Sequence, residues 1–162
     1  MKILYLMRHA KSSWNFDDLS DKERPLNDRG RDDAPAMGQA LAQRSIRLDL
    51  LVSSPAVRAL STAALVAKEL DYPHDRIQVV DAIYEATVPD LLSVVRNLPD
   101  AADSVLLVGH NPTITEFANL LSPSAIPDMT TAAIVCLRFQ CDRWRDLDRN
   151  NAEYYFYDHP KK

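Results

Sequence analysis

Arg8 and His9 stand side by side where the apolar run "KILYLM" ends, and His110 follows a second such run, "SVLLVG". Between them "SSPAVRA" puts Arg58 in the first turn of an expected helix. Arginine and histidine are costly to bury unless something pairs with them. Brought together, two of each form a site for a compact dianion. Guanidinium forks match phosphate oxygens bidentately, and helix N-termini add amide donors and positive potential. A cation in a helix's first turn opposes the dipole, so Arg58 in particular requires an anionic partner. No carboxylate cluster suited to Mg²⁺ adjoins these residues, which leaves arginine and histidine to neutralise charge in a transferring phosphoryl group. Something must also attack phosphorus. No cysteine lies nearby and the serines have no evident base. Histidine can serve if one ring nitrogen is unprotonated and the other is oriented by a hydrogen bond, and flanking positive charge helps by lowering the imidazole pKa. His9, directly at the strand end, is the candidate nucleophile, and His110 a donor to a phosphoryl oxygen.

These residues converge only if the elements carrying them do. "KILYL" reads as a short buried strand, followed by a polar loop down to "RPLNDRG". A helix is expected from Asn27 or Asp28 to about Arg44, with Met37 and Leu41 on its inner face and Pro35 marking a delayed start or a kink. "DLLVSS" is a second strand, and Ser54 and Pro55 follow as N-cap and first helical residue. "RIQVVDAIYE" holds a third, and "PDLLSVVRNL" is a helix. Residues 104–108 form another strand before a helix opening at Asn111 and Pro112. Residues 131–139, 143–148 and 153–158 are read as strands, antiparallel at the sheet's edge. The alternation predicts one α/β domain over 1–162, a three-layer sandwich. Its sheet is mostly parallel, with helices on both faces and an antiparallel C-terminal edge. Ligands bind such sheets beyond the carboxyl ends of the strands, where Arg8, His9, Arg58 and His110 all fall.

Composition narrows the classes. The chain of 162 residues is 46% hydrophobic and 26% charged, ordinary values for a globular domain with a proper core. A formal net charge of −4 argues against nucleic-acid binding. No apolar run reaches the roughly 18–20 residues of a membrane span, and the start is too short for a secretory core. With Cys136 and Cys141 its only cysteines, the expectation is a reduced, cytoplasmic monomer. Its three glycines, Gly30, Gly38 and Gly109, exclude both glycine-rich phosphate loops, so phosphate is held by side chains and helix ends.

The stretch Arg8-His9-Ala10-Lys11-Ser12-Ser13-Trp14-Asn15 resembles the R-H-G-x-S-x-W-N signature of the histidine phosphatase superfamily, which includes the cofactor-dependent phosphoglycerate mutases. "VSSPAVRALSTA" is similar to its S-S-x-x-x-R-A-x-x-T-A segment, and "VLLVGHNP" to its second-histidine strand. "RPLNDRG" resembles the stretch between, so the likeness covers residues 2 to about 121 in order. It implies His9 as phosphoryl acceptor and Arg8, Arg58 and His110 as ligands of the phosphoryl oxygens. It adds Asn15 and Ser12 as phosphate contacts and Glu85, after Ile83-Tyr84, as the acid/base. Ala10 stands where the family has glycine, which bears on the backbone approach there and not on the chemistry. Arg24 in "ERPLN" is a further candidate contact, its alternative being a surface salt bridge. No cofactor or metal is implied.

The compact build, with few residues for a lid, resembles the SixA-type phosphohistidine phosphatases. The expected activity is therefore metal-independent dephosphorylation through phospho-His9, with a phosphohistidine-bearing protein as substrate. Two alternatives stay open. One is a broad small-molecule phosphomonoesterase. The other is a non-catalytic module that binds phosphate or phosphoprotein.

Overall fold

The computed structural model describes residues 1–161. Among them a six-stranded sheet has the order β3-β2-β4-β1-β5-β6. The strands are β1 (Lys2–Arg8), β2 (Leu50–Ser53), β3 (Gln78–Val79), β4 (Ser104–Gly109), β5 (Ile134–Phe139) and β6 (Ala152–Asp158). Pairings among β1 to β4 are parallel, whereas β5 runs antiparallel to β1 and β6 antiparallel to β5. The sandwich read from the sequence is thus the one observed.

Side chains along β1 alternate faces, as the pleat requires. Leu4 and Leu6 join the core under α3 (Val88–Arg96) and α4 (Thr113–Leu121). Tyr5 and Met7 join the core under α1 (Asp28–Gln43) and α2 (Val57–Glu69). Two faces, two helix pairs and two cores follow from a central strand that is apolar at every position from Ile3 to Met7. No helix among the described residues is long and apolar enough to cross a membrane.

Several local expectations are corrected. The helix α1 starts at Asp28, capped by the Asn27 side chain, and continues past Pro35 without delay. Ser54 does not cap α2, which begins two residues after Pro55. Its hydroxyl accepts from the Ala56 N–H and contacts His110, tying it to the sheet edge instead. Asn111 and Pro112 precede α4, whose N-cap is Pro112. The strand expected from 131 starts at Ile134, because Ala132 turns with φ 64° to donate to the carbonyls of Arg8 and His9. Residues 143–148 form no strand. Trp144–Asp146 is a 3₁₀ turn, and fully buried Trp144 and Leu147, three apart, both point inward as that period allows.

Candidate active site

The parallel register brings three strand ends together. It pairs Arg8 with Gly109 and Ser53 with Val108. The next residues, His9 and His110, therefore leave adjacent strands about 4.8 Å apart, and their ring centroids lie 5.1 Å from each other. Helix α2 starts beside them and contributes Arg58 from its first turn.

His9 is buried, and its Nδ1 lies 2.7 Å from the Ala10 carbonyl oxygen. A carbonyl only accepts, so Nδ1 holds the proton and donates, and Nε2 keeps its lone pair. Burial pushes the His9 pKa down to about 3, with the positive potential of His110, Arg58 and Arg8 adding to it against the Ala10 hydrogen bond. Burial, then Arg58, brings His110 down to about 4. Its Nε2 sits 2.7 Å from Ser54 Oγ. Arg8 donates from Nη1 to the Met129 carbonyl at 2.9 Å. Arg58 donates from Nη1 to the Asp21 carbonyl at 2.6 Å and from Nη2 to Asp21 Oδ2 at 3.0 Å.

Arg8 Nε, Arg58 Nε and His110 Nδ1 are buried with no hydrogen-bond partner. Buried polar atoms are rarely left so, and these three belong to residues lining one hollow of about 220 Å³. His9, Ser12 and Arg24 also line it. A second hollow of about 360 Å³ shares Arg58 and His110 and is walled further by Asp21, Tyr84 and Glu85. Glu85 is exposed, with φ 55°. Among the described residues no group of three or more His, Cys, Asp or Glu is arranged to hold a metal ion.

The residues between these segments build the hollow's outer wall. Arg24 is not at the surface: it is buried and donates to Ser12 Oγ at 2.9 Å and to the Ser13 carbonyl at 3.2 Å. Its guanidinium also lies 3.5 Å from the centre of the Trp14 ring. Backbone bonds from Ser13 to Pro25 and from Asn27 to Lys11 clamp "RPLN" against the loop after His9. Ser12 is therefore brought to the site, whereas Asn15 is exposed and lines neither hollow. Ala10 is fully buried, so its methyl is accommodated at the position where the resembled signature has glycine.

Asp21 was missed, and nothing in its loop distinguishes it from Asp17 or Asp18. Its carboxylate takes hydrogen bonds from Tyr84 at 2.7 Å, Arg58 and Arg24. Chiefly the Tyr84 bond, and then Arg58, hold its pKa down at about 2, so an anion already sits on the arginine. Tyr84 also meets the His110 ring edge-on, with centroids 5.7 Å apart. Lys11, Asn111 and Thr131 line the smaller hollow and carried no signal alone.

Comparison with known proteins bears on the family and the fold. Residues 4–91 match the family model of the histidine phosphatase superfamily (branch 1). A chloroplastic protein of Arabidopsis thaliana is 28% identical over an alignment of 145 positions that covers 84% of this chain and 66% of that one. Among solved structures, the protein histidine phosphatase SixA complexed with tungstate superposes with a TM-score of 0.81 at 24% identity, covering 97% of this chain and 96% of that chain. A structure from Nakamurella multipartitia that bears the SixA name gives 0.81 at 29% identity, with 98% and 96% covered.

Proposed function

We propose, from the premise that this chain belongs to the histidine phosphatase superfamily and is a phosphatase of that type, that it removes phosphoryl groups from phosphohistidine on proteins through a phosphohistidine formed on its own His9. One observation carries the reading. The Nδ1 proton of His9 is committed to the Ala10 carbonyl, which leaves Nε2 a lone pair, and the hollow that His9 lines also holds Arg8, Lys11, Arg24 and Arg58.

In the first half-reaction His9 Nε2 attacks phosphorus, and the bond from phosphorus to the substrate nitrogen breaks. Arg8, Arg58 and His110 hold the phosphoryl oxygens as charge spreads over them, with Ser12 and Arg24 behind them. The departing imidazole takes a proton from Glu85. Water then attacks phospho-His9 and gives a proton back to Glu85, releasing inorganic phosphate and restoring the Nε2 lone pair. An imidazole leaves with less acid help than an alkoxide, which suits a Glu85 that is exposed and not enclosed. The relatives that bear the SixA name support the choice of donor. We read residues 1–162 as one domain that works as a monomer. The free thiols of Cys136 and Cys141 fit the reducing cytoplasm we infer for it.

The test mixes wild type and His9→Ala with a phosphohistidine-bearing protein and reads intact mass at alkaline pH, where phosphohistidine survives. Wild type is expected to gain one phosphoryl group that His9→Ala lacks. If neither is labelled while substrate is still consumed, His9 is not the acceptor. If phosphohistidine protein is ignored while small phosphomonoesters turn over, the donor assignment fails and the His9 chemistry stands.

A further inference from the structure

We propose that Thr62 is a positioning residue that holds the tautomer and aim of His9 through the backbone of Ala10 and ties that backbone to the helix bearing Arg58. The inference rests on the reading of His9 as nucleophile.

Three hydrogen bonds run in series. His9 Nδ1 donates to the Ala10 carbonyl at 2.7 Å, the Ala10 N–H donates to Thr62 Oγ1 at 2.9 Å, and Thr62 Oγ1 donates to the Arg58 carbonyl at 2.7 Å. Each direction is forced. The Arg58 carbonyl has no proton to give, so the Thr62 proton is spent there and only its lone pair can face Ala10. Thr62 is fully buried, and no water competes for either bond. The Ala10 N–H belongs to the peptide joining His9 to Ala10. The carbonyl that takes the His9 Nδ1 proton belongs to the next peptide, and rotation of the Ala10 backbone about the Cα that the two peptides share would swing that carbonyl off the His9 ring. Thr62 opposes that rotation, and its own position is set by the turn of helix that carries Arg58. The nucleophile and an oxygen-binding arginine, 49 positions apart in sequence, thus share one anchor.

The bland account is that a helical threonine often bonds the carbonyl four residues back. That habit explains the bond to Arg58. It does not call for accepting an N–H from a residue 52 positions away at the end of β1. Volume alone would be met equally by valine, which has a methyl in place of the hydroxyl.

The experiment compares Thr62→Val, Thr62→Ser and wild type. Steady-state kinetics are measured with a phosphohistidine protein, and the His9 Nδ1–H resonance is measured in resting enzyme. Thr62→Val is expected to lower kcat about 10- to 100-fold, the size seen for outer-shell partners of metal-bound histidines. KM should stay within about threefold, since the oxygen-binding groups are intact. The Nδ1–H signal should broaden or vanish through exchange. Thr62→Ser, which keeps the hydroxyl and loses the methyl, should retain the signal and most of kcat. Equal kcat in the two variants, or a better valine than serine, overturns the proposal. So does an unchanged Nδ1–H signal in Thr62→Val. Should Thr62→Val not fold, Thr62→Ala replaces it against Thr62→Ser with the same ordering required. The resonance needs no substrate. A wild type that forms no phospho-His9 would therefore defeat the catalytic reading while this arm still decides whether Thr62 holds the His9 tautomer.

Discussion

His9 and His110 are kept neutral mainly by burial, and that has a consequence for the folded state. Their pKa values in the fold are about 3 and about 4 against an ordinary 6.5. Below pH 6.5 the unfolded chain takes up protons that the folded chain refuses, so stability falls with pH from 6.5 toward those values. Each group adds at most about 1.4 kcal/mol per pH unit to that fall. Between pH 6.5 and 5, above the range where carboxylates titrate, the urea midpoint should drop, and the drop should be shallower in His9→Gln. A midpoint flat over that window would contradict neutral burial. Arg58 has a different job. Its Nη1 and Nη2 are held by Asp21, and its Nε is buried without a partner. Arg58→Ala should cost about 2–4 kcal/mol of transition-state stabilisation, the usual loss for an oriented donor. A fall in kcat/KM of less than about tenfold would remove Arg58 from contact with the phosphoryl group.

At the scale of elements, the loop after β1 depends on its fit against α1. A Cβ added to Gly30 would lie 2.1 Å from the Lys11 carbonyl oxygen, inside the first turn of the helix. Replacing glycine by alanine within a helix ordinarily stabilises by about 1 kcal/mol. Here the sign should reverse. Gly30→Ala is expected to destabilise by about 1–3 kcal/mol, as overpacking does, and to lower kcat/KM because Lys11 adjoins the site. Thermal melts alongside kinetics check both, and a variant more stable than wild type would show that the loop yields freely. The loop, "RPLN" and the start of α1 therefore act as one clamp. The residues of that clamp stood plainly in the sequence. Its closing pairs, Ser13 with Pro25 and Lys11 with Asn27, did not, because nothing local records which backbone groups meet across a turn.

Over the whole molecule the two ends of the sheet do different work. The carboxyl ends of the parallel strands carry the groups proposed for catalysis. At the opposite end buried Lys2 bonds Asp103 Oδ1 at 2.7 Å, and Trp144 Nε1 donates to the Ala102 carbonyl at 2.7 Å. Trp144→Ala should cost about 3–5 kcal/mol of stability. Below its melting point kcat/KM should stay within about twofold of wild type, since sites this far apart act nearly independently. A larger activity loss would mean that the two ends are coupled. The sequence by itself determined the sheet's chemistry-bearing edge. Short apolar runs that stop at Arg8-His9, at Ser53 and at Gly109-His110 and alternate with helical segments read as buried strands, and a parallel sheet turns their carboxyl ends to one edge. It could not determine that Trp144 lies in a turn, that Asp21 occupies Arg58, that Asn15 stays outside, or that Thr62 reaches Ala10. Those contacts join residues whose local signals are ordinary. Only packing of the loops and helices over the strand ends selects which polar groups meet.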